Sequence, residues 1–225
     1  MRTILVIPAY NEADNLERVV GEIIRDYPTY DYVIVNDGST DATADVCRAN
    51  GFKFLDLPIN LGLAGAFQAG IKYARNKNYD CAIQFDADGQ HRPEYLDALV
   101  AGMADYDIVI GSRFVTEDKP HSMRMLGSNI LEGIFRLTTR TKVNDPTSGM
   151  RAYNRKAIKL LASGPNLGPE PDTLAYLIRK KGLSVGEVQV HMGERIAGES
   201  YLTAGVSATY MIRMVVSMLL FHPFM

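Results

Sequence analysis

Two carboxylates one residue apart, Asp86 and Asp88, end a short apolar run over residues 81–85 and are followed by Gly89, Gln90 and His91. A buried strand delivering Asp-x-Asp into the loop at its C-terminal end suits a hard divalent cation. Magnesium and manganese prefer oxygen ligands, and magnesium takes one or two carboxylates while substrate phosphates supply more. Asp and Gly are also ordinary turn residues, so the pair alone fits a strand-end turn as well. Two more acids, Glu12 and Asp37, follow apolar runs of their own. Grouped carboxylates repel unless something cationic joins them, and this favours the metal reading. The four histidines have no paired zinc spacing, and His91 is expected to support the pair or lie at the surface.

These acids need a scaffold, and the hydrophobic pattern supplies one. Residues 3–7, 32–35, 52–55, 81–85 and 108–110 read as short buried strands. Between them, helical patterns cover 16–24, 41–50, 62–75 and 94–103, with Thr40 or Asp41 as a cap for the second. Strands alternating with helices predict an α/β fold with a mostly parallel sheet, whose ligands sit at the C-terminal strand ends. The glycines of residues 62–70 lack the G-x-G-x-x-G spacing, and no G-x-x-x-x-G-K-[ST] loop is present. A nucleotide would therefore be held by metal and loops.

The net charge of −2 conceals an asymmetry: residues 1–112 carry 9 Lys/Arg and 17 Asp/Glu, residues 113–159 carry 10 and 4. A metal-handling half beside a part that faces something anionic fits this division, against the plainer account of chance clustering on a solvated surface. Two cysteines make no disulfide framework, and the first apolar run meets Pro8 too soon for a secretory signal, so a reducing cytosol is expected.

In the basic part, Arg124 and Ser128 share a face of a helix over about 122–138, and residues 144–151 form a turn-rich link into a strand at 151–153. Asp172 opens a helix at 173–181 as cap or first-turn acid, and a strand over 183–190 follows. The apolar tail, residues 204–224, carries Thr209, Arg213 and Ser217 as a narrow polar stripe. It reads as a helix on a membrane surface or on a small membrane protein, with a core helix and a true span as competing accounts.

With these residues in view, the chain resembles family 2 glycosyltransferases of the GT-A fold. It is most similar to the branch of dolichyl-phosphate mannose synthase and the bacterial polyprenyl-phosphate glycosyltransferases. The resemblance rests on I-P-A-Y-N-E at 7–12, N-D-G-S-T-D at 36–41, D-A-D-G-Q at 86–90, G-S-R at 111–113, D-P-T-S-G-M-R at 145–151, and Arg195 with Gly198-Glu199-Ser200. It implies a GT-A domain over 1–202, with a nucleotide-sugar half (1–112) and an acceptor half (113–202), followed by the tail at 203–225. Pro8, Tyr10, Glu12 and Asp37 would surround the base and ribose of a UDP- or GDP-linked sugar. Asp86, Asp88 and Gln90 would hold Mg²⁺ or Mn²⁺ on its diphosphate. Arg113, Arg124, Ser128, Ser148, Arg151, Arg195 and Ser200 would face a polyprenyl phosphate acceptor, for inverting transfer in cell-envelope glycan synthesis at the inner membrane face. Asp172 stands about where relatives acting on sugar hydroxyls keep a catalytic base, so extension of a saccharide chain is the second expectation. A non-catalytic module binding a sugar nucleotide or a membrane partner is the third. No nucleic acid partner is expected, and a homo-oligomer is left open.

Overall fold

The computed structural model describes residues 1–119, 123–165, 167–193 and 204–221; of Arg124 and a few other helical residues only the backbone is described. Seven strands form one sheet in the order β3-β2-β1-β4-β6-β5-β7. They are β1 (Thr3–Ala9), β2 (Asp31–Asn36), β3 (Phe54–Asp56), β4 (Cys81–Gln84), β5 (Ile108–Ser112), β6 (Arg151–Asn154) and β7 (Val185–Gln189). Only β6 runs antiparallel to its neighbours, pairing β4 on one side and β5 on the other.

Helices cover both faces, which is why β1 is an unbroken apolar run. Ile4 and Val6 point to one core, Leu5 and Ile7 to the other. On the second face lie α1 (Ala13–Asp26), α2 (Thr43–Ala49) and α4 (Leu96–Gly102). In α1 the buried positions Leu16, Val19, Val20 and Ile23 form a single stripe. On the first face lie α3 (Gly62–Asn76), α5 (Met123–Thr139), α6 (Arg155–Ser163), α7 (Pro171–Lys181) and the tail helix α8 (Ala204–Val216), which ends in a π-helical turn at Ser217–Phe221. Pro171 starts α7 at its first position and Gly182, at φ 63°, ends it in the left-handed conformation.

Three features add to the sequence reading. The helix α6 was not anticipated; Asn154 caps it by accepting the Ala157 N–H at 2.9 Å, worth about 1 kcal/mol. The strand at 151–154 is inserted antiparallel between β4 and β5, the one exception in a sheet that is mostly parallel, as expected. The tail is also shorter as an α-helix than residues 204–224, and its Met214 and Met218 are buried in the same core as Leu131, Phe135, Leu174 and Leu177. Among the described residues, no helix is long and apolar enough to cross a membrane.

Candidate active site

Strand order reverses between β1 and β4, and the crevice at their C-terminal ends is where such sheets bind ligands. The loops leaving β1 and β2 are laced together there. Asp37 N–H donates to Ala9 O at 2.9 Å, Thr40 N–H to Asn11 Oδ1 at 2.9 Å, and Glu12 N–H to Thr43 Oγ1 at 2.9 Å. Asn11 takes φ 55°, which its short polar side chain tolerates. Glu12 accepts from Asn15 Nδ2 at 2.6 Å, Pro8 lies within β1, and Tyr10 is half-buried at its end. Asp37 is 3% exposed, and its Oδ1 accepts the Leu61 N–H at 2.8 Å, drawing a third loop to the site. Gly38, at φ 64°, makes that approach possible, since a Cβ there would lie 2.5 Å from Asn60 N and Ile59 C.

From β4 the chain enters the carboxylate pair. The Asp86 backbone N–H donates to His91 Nδ1 at 2.8 Å, and His91 Nε2 stands 3.4 Å from Asp86 Oδ2. An imidazole that accepts at Nδ1 carries its proton at Nε2, which then faces the carboxylate. The buried ring packs edge-on against Phe85, centroids 5.6 Å apart. Gln84 Nε2 reaches Asp86 Oδ1 at 3.3 Å, while Gln84 Oε1 is buried without a hydrogen-bond partner among the described residues. Asp88 is buried and its Oδ1 accepts the Gln90 N–H at 3.0 Å; Gly89, at φ 80°, turns the chain between them. Among the described residues no three His, Cys, Asp or Glu gather as a closed metal cage. Two carboxylates beside an amide oxygen, with Asp86 a third exposed, suit an ion that takes its remaining oxygens from a substrate.

Because β6 is antiparallel, its beginning stands at this same edge and brings the basic segment to the carboxylates. A Cβ on Gly149 would lie 3.2 Å from Asp86 Oδ2 and 3.5 Å from His91 Cε1. The turn before it is rigidly tied. Gly111 N–H donates to Met150 O at 2.8 Å and Ser148 Oγ to Gly111 O, while buried Arg151 donates to Ser148 O at 2.8 Å and Pro146 O at 2.6 Å. Arg113 grips Asp145 through Nε and Nη2 at 2.7 and 2.9 Å. Burial alone would raise the Asp145 carboxyl, but the hydrogen bonds and charge of Arg113, with Thr147 assisting, hold it below the usual carboxylate range. Asp145 and Asn144 are in turn anchored by Glu187, whose carboxylate accepts both backbone N–H groups. Ser128 lies on the buried face of α5, its Oγ without a hydrogen-bond partner among the described residues. Arg124 is placed by backbone alone, one turn earlier; Arg195 and Ser200 lie outside the described residues.

Asp172 lies in the first turn of α7, where its Oδ2 accepts from Ser217 Oγ of the tail at 2.6 Å. Burial pushes the neighbouring Glu170 carboxyl up, and Asp172 adds to this against Arg213 and Arg151. Burial also pushes Tyr210 up to about 12. The sequence reading passed over Gln84, Gly149, Asp145, Glu187 and Glu170. Only Asp145 and Gly149 carried a signal there, as members of the D-P-T-S-G-M-R stretch.

Residues 4–161 match the family model described as Glycosyl transferase family 2. Among curated proteins, the chain is 29% identical to undecaprenyl-phosphate mannosyltransferase of Micrococcus luteus, over 92% of this chain and 89% of that protein. It is also 29% identical to polyprenol monophosphomannose synthase of Mycolicibacterium smegmatis, over 90% and 81%. Among solved structures it superimposes on glucosyl-3-phosphoglycerate synthase from Mycobacterium tuberculosis, in complex with Mn²⁺, uridine diphosphate and phosphoglyceric acid. The TM-score is 0.73 at 19% identity, covering 100% of this chain and 79% of that one.

Proposed function

The chain belongs to glycosyl transferase family 2 and has the GT-A fold of a hexosyltransferase, and on that premise we propose that it moves a hexose from a nucleotide sugar to polyprenyl phosphate. The observation that carries this reading is the close approach of Asp86 to Gly149, where a Cβ would lie 3.2 Å from its carboxylate. It sets the carboxylate pair directly against the turn that holds Arg113 and Ser148. A donor diphosphate and an anionic acceptor would then meet across one pair of strands.

In this reading Asp37, Glu12, Tyr10 and Pro8 line the nucleoside end of the crevice. Asp86, Asp88 and Gln90 would hold Mg²⁺ or Mn²⁺, which as a Lewis acid neutralises charge on the departing nucleoside diphosphate. His91 and Gln84 keep the Asp86 carboxylate oriented. Arg113, Arg124 and Ser128, with Arg195 and Ser200, attract the acceptor phosphate, and the unpartnered Ser128 hydroxyl suits a ligand oxygen. Ser148 and Arg151 act by fixing the turn. One acceptor oxygen attacks the anomeric carbon as the bond to the diphosphate breaks, with inversion. A phosphate oxygen is already anionic, so no base need remove a proton. Relatives named for polyprenyl phosphate acceptors support the lipid acceptor, and with it work at the inner face of the cell membrane. Extension of a saccharide through Asp172 is less well supported, because that carboxylate is engaged by Ser217.

A panel of UDP- and GDP-hexoses, run with Mg²⁺ or Mn²⁺ and with or without polyprenyl phosphate, tests the reading by mass. The expected product is a lipid-linked monosaccharide that requires both the ion and the lipid phosphate. Transfer to an oligosaccharide in its place would overturn it.

A further inference from the structure

The tail carries a polar stripe, Thr209, Arg213 and Ser217, on an otherwise apolar segment. Polar groups set among apolar ones cost stability unless they meet partners. Ser217 Oγ meets Asp172 Oδ2 at 2.6 Å, and Arg213 is close enough to Glu170 to favour its charged form. The stripe therefore joins the tail to the start of α7.

Topology puts this junction at the active edge of the sheet. Since β7 runs parallel to β5, it starts at the far edge, and α7 must run down to it from the edge where Asp86 and Asp88 stand. The loop before α7 also reaches α3. A Cβ on Gly168 would lie 2.6 Å from Ala64 Cβ and closer still to Glu170 Oε2. Glu170 thus stands between the tail and the first turn of α3, next to the Leu61 N–H that Asp37 holds.

Four elements line the space around it. Gln84 of β4 and Arg151 of β6 are register partners, each two residues from a member of the first-face core, Ala82 and Tyr153, so both point to that face. Gln84 is 1% exposed, and its unpartnered Oε1 is the first opening beyond Asp86. Arg151 is tied to Ser148 O and Pro146 O, yet its charge reaches both Glu170 and Tyr210. The Tyr210 phenol also feels Glu170, Asp172 and Arg213. Among the described residues, neither the Glu170 carboxyl nor the Tyr210 hydroxyl has a side-chain hydrogen-bond partner. Half-buried polar groups left in this way suit a ligand.

That ligand is neutral and carries hydroxyls. Glu170 and Asp172 repel a phosphate, while Arg151 and Arg213 beside them oppose a cation. Amide and carboxyl oxygens accept from hydroxyls, and a phenol can donate to one. A hexose hanging from a diphosphate at Asp86 would enter this space past Gln84. We propose that Gln84, Glu170 and Tyr210 hold hydroxyls of the transferred hexose, which makes the tail one wall of the sugar pocket. The proposal rests on the glycosyl-transfer reading and adds to it the residues that choose the sugar. The Ser217–Asp172 bond pins that wall to α7.

The test is calorimetry on the full chain with Mn²⁺, comparing UDP-glucose and GDP-mannose with UDP and GDP. Glu170→Leu and Tyr210→Phe should each weaken the tighter sugar nucleotide about tenfold and leave its nucleoside diphosphate unchanged. Retained diphosphate affinity also shows that the fold is kept. On the natural chain, a monodeoxy analogue of the same hexose should bind about tenfold more weakly, because a site built around hydroxyls rejects ligands that lack them. This second measurement needs no variant to fold. Equal loss of sugar nucleotide and diphosphate, or loss of neither, overturns the proposal, as does indifference of the natural chain to every deoxy analogue. So does a loss confined to polyprenyl phosphate, which would give the pocket to the acceptor. Each of these leaves glycosyl transfer standing, whereas a chain that binds no nucleotide at all would overturn both.

Discussion

His91 holds Asp86 from two directions, with Nδ1 accepting its backbone N–H at 2.8 Å and Nε2 standing 3.4 Å from its carboxylate. One ring thereby fixes both the position of the residue and the direction its oxygens face. Partners of this kind behind a metal-binding group usually matter nearly as much as the group itself.

Replacing His91 by Phe keeps a ring against Phe85 but removes both nitrogens. Mn²⁺ affinity in the presence of nucleoside diphosphate, measured by calorimetry, should fall about 10–100-fold. Unchanged affinity would mean that Asp86 needs no such support.

Asp88→Asn retains an oxygen for the Gln90 N–H, so the turn should survive. Turnover should fall roughly 10²–10³-fold, the scale for losing one stabiliser of transition-state charge. Near-normal turnover with an intact circular dichroism spectrum would remove Asp88 from the metal set.

Arg113→Leu should leave Asp145 charged and buried, at a cost of about 3–5 kcal/mol in urea unfolding at neutral pH. Adding Asp145→Asn should recover much of that loss. If Arg113→Leu alone is as stable as the natural chain, the pair contributes nothing.

The same pair predicts a pH dependence. Asp145 is held below its unfolded value of about 3.9, so between the two values the unfolded chain binds more protons. Its stabilisation is complete above about pH 4 and is lost as pH falls through the folded value. Stability should therefore drop on acidification below pH ~4 more steeply in the natural chain than in Asp145→Asn. Parallel acid limbs would refute this.

Asp172→Asn separates the two acceptor classes. Transfer to polyprenyl phosphate should change far less than the roughly 10²–10⁴-fold that loss of a general base produces. A loss of that size would restore Asp172 as the base for a hydroxyl acceptor.

The architecture of the first half of the chain was legible because its signals are local. β1, β2 and β4 are apolar runs followed by acids, and Glu12, Asp37, Asp86 and Asp88 all stand at the edge that the βαβ pattern predicts. What escaped depends on contacts distant in sequence. Arg113 and Asp145 are 32 residues apart, and nothing in either neighbourhood announces the partner. The grip of His91 on Asp86 requires the reversal at Gly89, which a string of turn residues does not specify. The antiparallel insertion of β6 has no sequence signal either, since an alternating pattern is silent about strand direction. The two sides of the tail could not be told apart in sequence, because buried Met214 and Met218 and exposed Ile212 and Leu219 read alike as apolar.

The chain leaves the sheet at Ser112 and returns at Arg151 on the neighbouring strand, where Gly111 N–H donates to Met150 O at 2.8 Å. Residues 113–150 are thus an excursion whose ends already touch, but one that fills the core with Leu131, Phe135 and Val143. The Arg113–Asp145 pair, Ser128 and the outward face of α5 all lie within it. Descent can therefore vary the outward side of this stretch freely, while its inward side must keep the volume of those core side chains. It is joined to the rest of the sheet at two seams, Gly149 against Asp86 and Asn144 against Glu187.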